Sequence, residues 1–589
     1  MKEPSENAST RAETEGKGAR DLNTATNVRK ATLLWMIALL SSRLMGFLRE
    51  IVIARQAGAN ADTDVYFAAY TIPDFVNYLL AGGALSITFI PIFSAYLSRG
   101  DEDEGWHVFS IVTTFLAIVL GALIASAMYY TPELTPWVAK GFDDAQRIKL
   151  VRMTRIVLPA QFFIFEGFLL SAVQMAKGLH RYAALAPLLY GGGTILGGLL
   201  LGDTLGMEGF AWGTLGGAVV GSFGLQLYGA RRVGLRWRPA LSLRHPGFIS
   251  YFKLSLPIMI GQSLIAWDEW IMRYFGSFLT AATISWLNYG RKLAMVPVAV
   301  FGNATGFGAY PYLARCAAEG RAADVQIELD KALRSVLLLA LMTQVILFGA
   351  AEDIVSMLFR NATFSRADVE ATARALQVFS LGIAAWSSQG VVARGLYAFR
   401  DTLTPTAIGT VMTILALPLY GALAFRFQYV GLAAASTLAL SAYTVILSML
   451  FNRRIRIEAP AHRRRPFSPF LARVVGACIV ATLCARLVRD GLGALVGDGR
   501  FATMVLMPFL GSHPDQSHPF LLEWVRSLFV VIGVTGVATP VFVGLCLLFR
   551  VDEIKVLAVR VGGRIPVVRG YLSRGGVVPG ESPPEDGHA

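Results

Sequence analysis

The sequence predicts an all-α polytopic membrane protein with about 14 transmembrane helices, built as two six-helix lobes (parallel repeats) plus two C-terminal helices. Three observations predict this class. Of the 589 residues, 54% are hydrophobic and only 16% are charged, whereas soluble domains carry about 25% charged residues. The mean hydropathy is +0.53. The apolar residues also fall into blocks of roughly 20 or more, the length that an α-helix needs to cross a bilayer.

Fourteen such blocks follow one another along the chain. They are 32–55, 64–97, 106–130, 152–176, 183–202, 208–229, 249–275, 281–312, 332–358, 371–393, 405–425, 429–451, 468–488 and 525–549. The polar residues 1–30 lack the short apolar core of a signal peptide and are predicted to be disordered. After the last span, residues 550–589 form a tail.

Lysine and arginine in the short loops predict the orientation of these spans. The linker 231–248 between spans 6 and 7 carries five arginines, and the loop between spans 12 and 13 carries six. Because cytoplasmic loops are enriched in Lys and Arg, both loops and both termini are predicted to be cytoplasmic. The net charge of +13 therefore indicates topology and anionic lipid headgroups. It does not indicate nucleic acid, because aromatic residues for base stacking are missing from these loops.

Short motifs recur at a nearly constant distance and predict an internal duplication. Pro91 and Gly100 return 220 residues later as Pro311 and Gly320, and Gly209 returns 222 residues later as Gly431. Further pairs are Arg55 and Gly58 with Arg273 and Gly276, and Ala176-Lys177-Gly178-Leu179 with Ala393-Arg394-Gly395-Leu396 at 217. The predicted lobes are 31–230 and 249–452, followed by 468–549 with the two extra spans. Parallel repeats are typical of transporters; a scaffold that arose by duplication is the alternative.

Ionisable residues inside apolar spans predict a binding site. Such residues cost several kcal/mol at the bilayer centre and usually face an aqueous cavity. The candidate cations are Arg43, Arg49, Arg291 and Lys292, and their candidate partners are Ser42, Glu50, Asp64, Asp74, Asp268 and Glu269. Because arginine suits phosphate or carboxylate groups, the substrate is predicted to be anionic and phosphorylated. Arg55 and Arg273 lie near span ends and are interpreted as interfacial side chains.

Glycine and proline interrupt spans 2 and 8. Gly82, Gly83 and Pro297 are candidate hinges of an alternating-access motion, although such residues can also simply bend a helix. The four cysteines lack metal-ligand spacing, so neither a metal site nor another cofactor is predicted.

The segment Ser42–Glu50, followed by Thr63-Asp64, Ile72-Pro73 and Gly83–Ser86, resembles the opening signature of the MurJ (MviN) family of lipid II flippases. Arg291-Lys292-Leu293 and the stretch from Gly395 to Pro405 continue the resemblance, which covers roughly residues 30–550. It implies the fold of the multidrug/oligosaccharidyl-lipid/polysaccharide exporter superfamily. It also implies transport of undecaprenyl-pyrophosphate carrying a disaccharide-pentapeptide (lipid II) to the outer leaflet of the bacterial inner membrane. A monomer near the cell-wall synthesis proteins is expected.

The resemblance also implies functional positions and shows departures. Arg43, Arg49 and Asp64 stand where family members hold functionally required residues, and Lys292 stands at the basic position of span 8. Many members have two arginines where this chain has Asn77-Tyr78. They also have an acid at the positions of Gly82 and Arg291.

Two alternatives remain open, and a third is disfavoured. A flippase of another lipid-linked glycan and a cation-coupled multidrug exporter would keep the same fold. A membrane enzyme of prenyl-phosphate metabolism would need a magnesium-binding Asp-rich motif, but Asp143-Asp144 has no second pair. No nucleophile–base pair or phosphate-binding glycine loop is evident either, so the chain is predicted not to be an enzyme.

Overall fold

The computed structural model describes residues 41–79, 84–262, 267–459, 467–497, 519–551 and 553–554. Every regular element within these ranges is a helix, which confirms the predicted all-α class. The proposals for residues 1–30, for Gly82 and Gly83, and for most of the tail 550–589 lie outside the described residues.

The chain divides into two compact units at Ser285 and Trp286. In unit 1 residues 41–57 form α1. The helices that follow are α2 (Ala61–Ala69), α3 (Thr71–Leu79), α4 (Ala84–Ser98), α5 (Glu102–Tyr129), α6 (Thr131–Val138), α7 (Asp144–Ala176), α8 (Arg181–Leu205), α9 (Met207–Gly217), α10 (Leu225–Arg232), α11 (Pro246–Gln262) and α12 (Trp267–Gly276). A π-helical segment, Ala218–Gly224, joins α9 to α10.

Helix α13 (Thr283–Pro297) begins at the end of unit 1 and leads into unit 2. A second π-helical segment, Val298–Asn303, joins it to α14. The remaining helices are α14 (Ala304–Ala318), α15 (Ala322–Gly349), α16 (Ala351–Phe359), α17 (Arg366–Ser380), α18 (Ile383–Ala398), α19 (Leu403–Glu458), α20 (Ser468–Gly497) and α21 (Pro519–Leu548).

The described helices are those of a multi-pass membrane protein. Eight are long and apolar enough to cross a bilayer, or nine if the bent pair α17 and α18 forms one span. The count is below fourteen partly because several predicted spans are divided into shorter helices, such as α9, the π-helical segment and α10 in span 6. It also counts α19 once. At 1.5 Å per residue its 56 residues would reach about 84 Å, more than twice the hydrocarbon thickness.

The backbone of α19 shows how it holds two spans. Gln428 interrupts it with φ 55° and ψ −140°, between the predicted spans 11 and 12. Gly206, between α8 and α9, has φ 58° and ψ −133°. The two residues are 222 positions apart, the offset that also relates Gly209 to Gly431, so both units contain the same tight reversal between successive spans.

Other helix ends repeat in the same way. Gly100 and Gly320 both have positive φ, 76° and 73°, and each is followed by a helix of 28 residues, α5 and α15. Asp143 and Ser365, 222 positions apart, both begin a helix with a capping box. The duplication inferred from isolated motifs thus also appears as matching backbone angles and helix caps in the two units.

One motif pair used for the repeat is out of register with this geometry. Gly178 follows the end of α7 with φ 78°, and the matching position after α18 is Arg400 with φ 61°, 222 residues later. Gly395, which the sequence pairs with Gly178 at an offset of 217, lies inside α18. The four-residue match therefore does not mark equivalent positions.

Helix α7 packs against most of the other helices of unit 1, and α15 packs against most of the helices of unit 2. In unit 1 the buried core includes Phe89, Phe93, Trp106, Phe109 and Phe165. In unit 2 the helices α20 and α21 pack against each other and against α15 and α16. An ion pair of Arg489 with Glu352 and a 3.0 Å contact with Asp353 fix α20 to α16.

Candidate substrate-binding site

Helix α1 carries the two arginines predicted in span 1. The Arg49 side chain is 24% exposed and forms a 2.9 Å ion pair with Glu50, whose side chain is 4% exposed. Arg43 is exposed, and no described residue forms a hydrogen bond or ion pair with it. Ser42 beside it is half-buried. Of the two arginines, only Arg49 is anchored by a described carboxylate.

Hydroxyl groups surround the inner end of Arg49. The Tyr66 and Tyr70 hydroxyls are 2.9 Å apart, and Tyr70 Oη lies 2.7 Å from Thr214 Oγ1. Both rings lie within electrostatic reach of the guanidinium. The Arg49 Nε is buried and has no hydrogen-bond partner among the described residues. The guanidinium is thus held in a polar pocket and retains an unused N–H donor for an additional acceptor.

Asp64 serves as an anchor for a helix start. It is 2% exposed, and its Oδ1 accepts hydrogen bonds from the Ser285 backbone N–H at 2.7 Å and from the Ser285 hydroxyl at 2.5 Å. Ser285 is in the first turn of α13, where backbone N–H groups lack helical partners. Asp64 therefore fixes the start of the helix that carries Arg291 and Lys292.

Arg273 forms a charge cluster that the interfacial interpretation did not anticipate. Its side chain is only 13% exposed and lies 3.4 Å from Asp74 and 3.4 Å from Glu269. It also donates to Thr71 Oγ1 at 3.0 Å. Arg273 is therefore a mostly buried, ion-paired side chain, whereas Arg55 is exposed; the assignment of both side chains to the membrane interface stays a prediction. Asp268, next to this cluster in sequence, is half-buried.

In unit 2 the cations of α13 differ in their surroundings. Arg291 Nη1 lies 3.5 Å from Ser436 Oγ, and its guanidinium carbon lies 5.9 Å from the centre of the Trp386 ring. Both of these neighbours are buried. Lys292 is half-buried and forms no hydrogen bond or ion pair with any described residue. Consecutive residues point about 100° apart on a helix, so only Arg291 faces α18 and α19 at this level.

Pro297 is buried and ends α13 where the π-helical segment begins. π-Helical turns are rare overall, and those that occur are often found at functional sites. Gly302, inside that segment, packs against the Ser387 backbone so closely that a Cβ would lie 2.9 Å from the Ser387 carbonyl oxygen. The structure thus places a helical irregularity directly after the candidate hinge Pro297.

Arg394 and Glu166 lie inside apolar spans and were not among the candidate residues. Arg394 in α18 is half-buried and donates to the Gly390 carbonyl at 2.9 Å; the sequence reasoning used it only as a repeat marker. Glu166 in α7 is 4% exposed. The criterion that selected Arg43 and Arg49, a charge in the middle of an apolar span, would have found both residues.

Backbone features that recur about 222 residues apart, with cations inside apolar spans of both units, are those of a multi-pass membrane transporter built from parallel repeats. A model of the family described as "Lipid II flippase MurJ" matches residues 53–497. The chain belongs to this lipid II flippase MurJ family, which confirms the resemblance seen in the sequence.

Individual relatives and solved structures agree with this assignment. The lipid II flippase MurJ of Burkholderia cenocepacia is 30% identical over 377 residues, covering 63% of this chain and 73% of that protein. The probable lipid II flippase MurJ of Vibrio cholerae is 26% identical over 475 residues, covering 78% and 89%. A structure of lipid II flippase MurJ in an inward closed conformation has a TM-score of 0.65 at 19% identity, covering 85% and 98%. An inward-facing multidrug resistance MATE transporter of the MOP superfamily has a TM-score of 0.58 at 13% identity, covering 74% and 100%. The two structures show the fold.

Proposed function

We propose that this chain translocates lipid II, undecaprenyl-pyrophosphate carrying a disaccharide-pentapeptide, from the cytoplasmic to the outer leaflet for cell-wall synthesis. The observation that carries the proposal is that each unit keeps a cation without a described partner inside an apolar span. These cations are Arg43 in span 1 and Lys292 in span 8. A cation is costly at that depth, and an anionic substrate group would compensate its charge.

The four candidate cations have two roles in this proposal. Arg43 and Lys292 bind the pyrophosphate directly, because nothing described holds their charged groups. Arg49 and Arg291 approach the substrate from fixed positions, anchored by Glu50 and by Ser436 with Trp386. An arginine fork held in place loses little freedom when it binds phosphate oxygens bidentately.

Transport follows an alternating-access cycle. An inward-open cavity takes up the headgroup while the prenyl chain stays in lipid, and rocking of 31–230 against 249–452 exposes the headgroup on the other side. Pro297 with the adjoining π-helical segment bends during this motion. The membrane potential is a suitable energy source because the substrate carries charge through the field.

The cellular setting belongs to the same proposal. The chain acts in the bacterial inner membrane with both termini in the cytoplasm, since the Arg-rich loops orient it so. It acts as a transporter without enzymatic activity or cofactor, as a monomer near the cell-wall synthesis proteins.

A flippase of another lipid-linked glycan is the second candidate. Asn77 and Tyr78 stand where many family members have two arginines, and Gly82 stands where they have an acid. These positions reduce the charge of span 2 and favour a headgroup with a different arrangement of anionic groups. The four cations would bind the pyrophosphate of that substrate in the same way.

Complementation tests the proposal. Expression of the chain in cells depleted of their lipid II flippase should restore growth and outer-leaflet lipid II, whereas Arg43→Ala and Lys292→Ala variants at equal membrane levels should not. Arg55→Ala, an exposed change on the same helix as Arg43, is the matched control and should complement. Failure of the wild-type chain despite normal insertion would reject lipid II as substrate. Purified protein that then flips another undecaprenyl-linked glycan in proteoliposomes would establish the second candidate.

A further inference from the structure

Unit 1 contains a buried carboxyl group that the cationic site does not use. Glu166 lies in the middle of α7, 4% exposed, between Phe165 and Leu169 of the apolar core. Its Oε1 has no hydrogen-bond partner among the described residues. No ion pair joins it to a described Lys, Arg or His. Glu166 is therefore an acid without a compensating charge in the described part of a membrane span.

Its surroundings are hydroxyl groups and aromatic rings. Tyr251 of α11, 3% exposed, lies within electrostatic reach of Glu166. The Tyr251 hydroxyl is buried beside Ser255, whose Oγ lies 3.0 Å from Thr88 Oγ1. Phe89 packs edge-on against the Tyr251 ring with centroids 6.0 Å apart. Tyr251 thus offers Glu166 a neutral dipole, and none of these neighbouring groups is a cation.

Charged groups on the elements around α7 are either engaged with other residues or exposed. The engaged ones are Asp64 with Ser285, Asp74 with Arg273, Glu208 with Arg152, Glu102 with Lys177, Asp103 with Arg236 and Glu104 with His245. The exposed ones are His107, Glu133, Arg181, Arg231 and Lys253, together with Arg232, which contacts Tyr228. Tyr251 is thus the titratable group that faces Glu166.

We propose that Glu166 is a proton-binding site of this transporter, neutral while α4, α7 and α11 are packed and ionised when water reaches it. An ionised carboxylate buried without a cation is strongly disfavoured. A proton needs one carboxyl oxygen, whereas a metal cation needs several oxygen ligands, and Glu166 is the carboxylate of this described cluster.

Infrared difference spectroscopy on the full-length chain in lipid nanodiscs tests the site without any transport assay. The wild type should show the C=O stretch of a protonated carboxylic acid at neutral pH, shifted in deuterium oxide and absent in Glu166→Gln. Glu133→Gln, an exposed change in the same unit, should retain the band. Tyr251→Phe should retain the band at a shifted frequency. If Glu166→Gln fails to fold, this shift still assigns the band to the carboxyl group beside Tyr251. Absence of the band in the wild type, its persistence in Glu166→Gln, or its loss on adding Na⁺ at constant pH would overturn the proposal.

The consequence for transport rests on the proposed function. In proteoliposomes containing lipid II, a pH gradient should change the flipping rate of the wild type, while Glu166→Gln should flip at a rate that no longer responds to the gradient. An identical response in both proteins would show that Glu166 takes no part in energy coupling. Absence of flipping by a wild type that still shows the infrared band would reject the proposed function and leave the proton site in place.

Discussion

Span 1 in unit 1 and span 8 in unit 2 each carry two of the candidate cations, and in both spans the two differ in their surroundings. Arg49 is tied to the buried carboxylate of Glu50, and Arg291 contacts the Ser436 hydroxyl and the Trp386 ring. Arg43 and Lys292 have no described partner. The four cations predicted as one set therefore fall into two kinds: Arg49 and Arg291 are held by described neighbours, and Arg43 and Lys292 are not. Removing them should therefore have different consequences.

The largest effect is expected for Arg49→Ala. The substitution leaves Glu50, 3% exposed, without its ion-pair partner. Breaking a buried pair costs about 3–5 kcal/mol, and we expect the lower end because Arg49 is partly exposed. Both the melting temperature in detergent and complementation should fall. The double variant Arg49→Ala/Glu50→Gln should regain stability but not transport. Equal stability of Arg49→Ala and wild type would show that the pair is not an anchor.

The next largest effect is expected for Arg43→Ala and Lys292→Ala, and it should be confined to transport. A charge-assisted hydrogen bond contributes about 1.5–3 kcal/mol, so each change should lower lipid II flipping about tenfold or more. The melting temperature should stay within the small range of surface changes, because no described contact is lost. Lys331→Ala, a surface change in unit 2 with its side chain 68% exposed, is the control. A loss of stability as large as that of Arg49→Ala would end the distinction between the two classes.

A smaller effect on stability is expected for Arg273→Met. The change removes the donor shared by Thr71, Asp74 and Glu269. Since both carboxylates are 37% exposed, solvent screening reduces the cost to about 1–2 kcal/mol, seen as a lower melting temperature. Arg273→Lys should recover part of it. If Arg273→Met melts like the wild type, the contacts of Arg273 with Thr71, Asp74 and Glu269 do not stabilise the fold. Anchoring would then not be a general property of the buried cations in unit 1.

Arg273 also shows where sequence reasoning stops. Hydropathy and loop charges sufficed for the class and most spans, because a bilayer imposes one length on every helix. They also placed Arg43, Arg49, Arg291 and Lys292 inside spans. Proximity along the chain does not reveal that Asp64 caps a helix 221 residues away or that Arg273 lies beside Asp74. Those contacts depend on tertiary packing.

The smallest effect concerns the backbone reversal that both units share. Gly206 and Gln428 have nearly equal angles, φ 58° and ψ −133° against φ 55° and ψ −140°. Only glycine adopts this region without strain, and at these two exposed positions we expect another residue to cost about 1 kcal/mol, the lower end of the usual range. Gln428→Gly should therefore raise the melting temperature slightly, and Gly206→Ala should lower it although a Cβ at Gly206 meets no atom within 4 Å. Gly216→Ala, also without a close neighbour but inside α9, controls for the general effect of removing a glycine.

A thiol-reactive dye can follow the melting of these variants, because Cys316, Cys478 and Cys546 are buried in the folded chain. Opposite shifts for Gln428→Gly and Gly206→Ala would mean that the fold imposes the reversal on both units and that only unit 1 has the residue suited to it. Shifts of the same sign would contradict this, because the two positions would then respond to their local surroundings rather than to one inherited geometry.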